Sequence, residues 1–178
     1  MAEIKSAVEL AMERTKGLRL SHEEKEKLKE EEVQSKAHSL VNRYLEVDFH
    51  LREVEKELDR VDPTQRQHLE KLFLQYLTEA IGLDRDNDLI FQGIESYRGG
   101  SKNSIQKMKD LIQRYQQQKG REYSKAEKDL LTKLERLGIG GSAVQPKAEG
   151  SLEWEEALDK FKPAFEEELR KLRKEVEK

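Results

Sequence analysis

Asp84, Asp86, Asp88 and Glu95, in the stretch LDRDNDLIFQGIESYRGG from Leu83 to Gly100, fall at positions 1, 3, 5 and 12 of a twelve-residue window. This is the spacing with which an EF-hand loop wraps carboxylate oxygens around a calcium ion, the last acid binding through both oxygens. The wrap also needs glycine at position 6 for its sharp turn, and here that residue is Leu89, with Gly93 out of register. The preferred reading is a polar corner in which Asp84 or Asp86 caps a short helix carrying Leu89, Ile90, Phe91 and Ile94. A calcium-responsive module over residues 84–95 ranks third among the functional readings.

Other chemistries find less support. The chain has four histidines, and none has glutamate three residues before it, as a carboxylate-bridged di-iron bundle requires. His50 and Glu53 stand in the reverse order, which reads as a surface histidine beside a salt-bridging acid. With no cysteine there is no thiolate nucleophile and no sulfur-based zinc site. YRGGSKNS, from Tyr97 to Ser104, lacks the Gly-Lys-Ser/Thr ending of a phosphate loop, and no strand precedes it. No nucleophile elbow appears. The sequence therefore predicts a protein that is not an enzyme and uses no cofactor and no resident metal.

Charge is distributed unevenly. Residues 97–137 carry a net +6, which leaves −9 for the rest of a chain whose formal charge is −3. Arg98, Lys102, Lys107, Arg114, Lys119 and Arg121 are the candidates for contact with nucleic acid phosphates, the second functional reading. Acidic and aromatic residues combine in EGSLEWEEALDKF, from Glu149 to Phe161, so the tail is an alternative occupant of the same basic module.

The elements that would position these residues all read as helices. Charged residues make up 40% of the 178 and hydrophobic ones 35%, so apolar surface must be gathered into stripes. Ser21 and Glu24 form a capping box that opens a long helix. Val33, Ala37, Leu40, Tyr44, Val47, Leu51, Val54, Leu58 and Val61 then continue an unbroken heptad seam to Asp62 and Pro63. One helix over about residues 22–61 would span roughly 60 Å. Only Leu28 in its first third is apolar, so that end is expected in solvent. Pro63 starts the next helix, which Gly82 closes. Further helices are expected from Ser104 to Gly120 and, after a second capping box at Ser124 and Glu127, as far as Leu137. GIGGSAVQPKAEGS, residues 138–151, reads as a flexible linker. Trp154, Leu158, Phe161, Phe165, Leu169, Leu172 and Val176 form a final amphipathic stripe, which Pro163 should kink or split.

The predicted fold class is all-α: an elongated helical bundle over residues 1–137 around the long central helix, a linker at 138–151 and an amphipathic helix at 152–178. No apolar run approaches the roughly 20 residues that a membrane span needs, and the first residues lack the apolar core of a signal peptide. No membrane contact and a cytoplasmic setting are expected. The segment MAEIKSAVELAMERTKGLRLS, with NRYLEVD further on, resembles a family of small bacterial all-helical proteins of unknown function. The resemblance covers mainly the first third, implies a bacterial cytoplasmic protein, and carries over no functional residue. The first functional reading is a protein–protein interaction module: an adaptor, scaffold or assembly factor, with itself or another protein as partner. Its working surfaces would be the seam at Leu51, Val54, Leu58 and Val61 and the tail stripe at Trp154, Leu158, Phe161 and Phe165.

Overall fold

A computed structural model of the chain describes residues 21–46, 49–97, 102–141 and 144–177. Among these there are six helices and no strand, so the fold is all-α. They are α1 (His22–Tyr44), α2 (Leu51–Asp59), α3 (Pro63–Glu79), α4 (Asp88–Tyr97), α5 (Lys102–Arg136) and α6 (Leu152–Glu177). The chain divides into two compact units, Met1–Phe73 and Leu74–Lys178, with the division falling inside α3.

In the N-terminal unit α1 starts at the expected box. Ser21 Oγ accepts the Glu24 amide at 3.1 Å, and the Glu24 carboxylate accepts the Ser21 N–H at 2.7 Å. Its first three turns are exposed, Leu28 included, and Val33, Ala37, Leu40, Val41 and Tyr44 are buried further on. Asp62 Oδ1 accepts the Thr64 amide and hydroxyl at 2.9 and 2.7 Å, and Pro63 occupies the first position of α3. Tyr44 and Phe73 meet edge to face at 6.0 Å.

The single helix expected over 22–61 is two helices. Helix α1 ends at Tyr44, and His50 is extended (φ −99°, ψ 159°) where α2 begins. Arg43 Nη1 lies 3.9 Å from Glu57 Oε1, although fourteen residues of continuous helix would separate their backbones by about 21 Å. The chain has folded back. The Glu53 carboxylate accepts the His50 N–H at 2.8 Å, so the His-x-x-Glu spacing marks a helix start. Val54 and Leu58 of α2 are buried. Each such burial stabilises by roughly 1.5–3 kcal/mol, enough to offset helical hydrogen bonds worth about 1 kcal/mol apiece. A straight helix would need a second chain to cover the same seam.

In the C-terminal unit α5 and α6 form an antiparallel hairpin. Lys107 pairs with Glu175 at 3.2 Å, Arg114 with Glu168 at 2.7 Å, and Lys133 with Glu153. Helix α5 runs for 35 residues through Gly120 and Ser124, where the sequence predicts one helix to end and another to begin. It stops at Gly138 (φ 77°), where the Ile139 and Gly138 amides return to the Leu134 and Glu135 carbonyls at 2.9 and 3.0 Å. Helix α6 continues without interruption through Pro163. Within the expected linker, Ala148 is fully buried and clusters with Ala126 and Trp154.

Candidate functional site

The corner between α3 and α4 is built by side chains that saturate its backbone. Asn87, 6% exposed, donates to the carbonyls of Gly82 and Arg85 at 2.7 and 2.9 Å and accepts the Gly82 amide at 2.9 Å. Asp86 Oδ1 accepts the Asp88 amide at 2.9 Å at the start of α4. Gln116 of α5 donates to the Leu83 carbonyl at 2.7 Å. These contacts fix the direction in which Asp84 projects.

Asp84 faces the α5–α6 hairpin. Its carboxylate accepts the Tyr115 hydroxyl at 2.9 and 3.0 Å, the Lys119 ammonium at 2.6 Å and the Lys162 ammonium at 3.1 Å. Partial burial alone would raise its pKa, but the hydrogen bonds from Lys119, Lys162 and Tyr115 hold the carboxyl below the ordinary aspartate range. Tyr115 is completely buried. Burial, and then its acceptor Asp84, push the phenol well above the usual tyrosine value, so it stays a neutral donor. Its ring packs at 5.8 and 5.5 Å from Phe161 and Phe165, whose side chains flank Pro163 on α6.

Beside this cluster lies an open cavity of about 560 Å³. Its walls come from residues 82–85 and from one face of α6, and include Arg85, Lys162, Arg170 and Arg173. Arg85 donates to the Ala80 carbonyl at 2.9 Å, and Arg173 donates to the Ile81 carbonyl. Two arginines thus hold consecutive carbonyls just beyond α3.

Of the four acids proposed for calcium, three have separate partners, and Asp88 stands exposed at the first position of α4. Asp84 is held by two lysines and a tyrosine, Asp86 caps, and Glu95 pairs with Lys109 at 3.2 Å. Among the described residues there is no group of three or more His, Cys, Asp or Glu that could hold a metal ion. Of the candidate nucleic-acid residues, Lys107, Arg114 and Lys119 are paired with Glu175, Glu168 and Asp84. Lys102 and Arg121 are exposed, and Arg98 lies outside the described residues. In the first proposed contact surface Val54 and Leu58 are buried and Leu51 and Val61 half-buried. In the second, Trp154 is buried edge-on to Tyr123 at 5.3 Å, with Leu158 beside it. The tail stripe therefore covers its own α5. Arg85, Asn87, Lys162 and Arg173 escaped sequence reasoning, and only Asn87, immediately before the apolar run of α4, had a local signal.

No protein-family model, curated protein or solved structure matches the chain. The N-terminal resemblance rests on residues 1–20 for most of its extent, and these lie outside the described ones. Among the described residues no helix is long and apolar enough to cross a membrane.

Proposed function

We propose that this is a non-enzymatic cytoplasmic helical protein that works by self-association, as an oligomeric adaptor or assembly factor, through the tip of the α5–α6 hairpin. The observation that carries this reading is an exposed apolar group at the tip: Leu137 is 75% exposed, Leu152 67% and Ile139 49%. The bond between Lys133 and Glu153 ties the two helices together beside these residues. Elsewhere in the hairpin Trp154 and Tyr115 are buried, and Phe161 and Phe165 are half-buried. A tip that presents the same residues in every copy suits an isologous two-fold contact. The nucleic-acid reading has less support, because ion pairs already engage three of its six cations.

Sedimentation of the full chain tests the proposal against the double variant Leu137→Glu/Leu152→Glu. Self-association of the parent and a monomeric variant with unchanged helicity are expected. A monomeric parent, or an association that the variant retains, would overturn the reading.

A further inference from the structure

The cavity beside Asp84 has a chemistry that self-association does not use. We propose that it binds a small phosphate-bearing anion, free or esterified. Its volume of about 560 Å³ is that of a small-molecule site. Four cationic side chains line it, Arg85, Lys162, Arg170 and Arg173, against two carboxylates, Asp84 and Glu166. The Asp84 charge is already matched by Lys119 and Lys162, and Glu166 lies 3.9 Å from Lys162. Arg170 is itself paired with Glu167; with that carboxylate and Lys119 included, five cations stand against three carboxylates, so the cavity is electropositive.

The geometry favours an oxyanion. Consecutive carbonyls, Ala80 and Ile81, accept from Arg85 and Arg173. The aliphatic part of Arg85 lies over Gly82, where a Cβ would come within 3.1 Å of it. Its guanidinium makes no ion pair among the described residues, and the carbonyl takes one of its five donors. A planar fork fixed in this way matches two oxygens of a phosphoryl group better than a single point charge does. Leu83 and Leu169 supply an apolar wall for the remainder of an ester.

The test is calorimetric titration of the full chain with inorganic phosphate and, separately, with phenyl phosphate, at constant ionic strength set with sodium chloride. The expected result is saturable one-to-one binding that Arg170→Gln and Lys162→Gln each weaken at least about fivefold. The Arg170 side chain is 65% exposed, so its replacement leaves the fold intact. Equal affinities assign the site to free phosphate, and tighter binding of phenyl phosphate assigns it to an ester. Absence of saturable binding, or binding that both variants retain in full, would overturn the proposal. Since neither substitution touches the hairpin tip, the oligomeric state of the variants separates this result from the fate of the self-association reading.

Discussion

Replacing Asp84 with alanine leaves the Tyr115 hydroxyl fully buried and without its acceptor. An orphaned buried donor costs about 1–3 kcal/mol. The Lys119 and Lys162 contacts to the same carboxylate involve side chains about a third exposed, so solvent screening limits each to roughly 0.2–1 kcal/mol. Asp84→Ala should therefore destabilise the C-terminal unit by about 1.5–5 kcal/mol. Tyr115→Phe keeps the ring against Phe161 and Phe165 and loses only a hydrogen bond to a charged acceptor, about 1.5–3 kcal/mol. The double variant contains no orphaned donor, so its cost should fall below the sum of the singles by about 1–3 kcal/mol. Urea unfolding followed by the fluorescence of Trp154 reads this directly, because the chain has one tryptophan and it is buried in the same unit. Additivity to within about 0.5 kcal/mol would refute the claim that Asp84 and Tyr115 act as one interaction.

Gly120→Ala should stabilise α5 by about 0.5–1 kcal/mol, because a Cβ there meets nothing within 4 Å and alanine loses less backbone entropy in a helix interior. The urea midpoint reports it, and a loss of stability would mean that the helix ends at Gly120 as the sequence predicts. Acid should weaken the Asp84 junction: its folded pKa lies below the unfolded one, so its contribution is present above the unfolded aspartate value and disappears as pH falls through the folded one. Between pH 6 and 2 the parent should lose more stability than Asp84→Asn, as read from urea midpoints, and equal losses would refute this account.

Where structure depended on chemistry a few residues apart, the sequence was legible. Ser21 with Glu24, Asp62 with Pro63, and Gly138 mark helix ends through bonds that span no more than five positions. The failures lie where distant packing overrides local preference. Gly120 and the box residues Ser124 and Glu127 all signal a helix boundary, yet continuing α5 keeps Tyr115 against Phe161 and Tyr123 against Trp154 on one partner helix. A mid-helix glycine costs about 1 kcal/mol, less than the burial of one aromatic side chain. The same balance operates across Pro163, whose neighbours Phe161 and Phe165 both contact Tyr115. At residues 45–50 it acts in the other direction. The heptad spacing continues through the break, and the fold-back that accompanies the burial of Val54 and Leu58 has no local signature.

Asp84 shows why a residue can be found for one chemistry and serve another. Spacing along the chain can nominate only partners a few positions away, and for Asp84 it nominates three acids, whose mutual repulsion would demand a cation. The partners that the fold supplies lie 31, 35 and 78 residues away: Tyr115, Lys119 and Lys162. The underlying requirement is the same, since a partly buried carboxylate needs positive charge and hydrogen-bond donors. Two tethered ammonium groups meet it here. Because they bridge the corner, α5 and α6, the charge that a metal ion would have gathered from one loop instead joins three segments of the C-terminal unit. Leu89 in place of a loop glycine fits this arrangement, for Asn87 can then close the turn and α4 can begin at once.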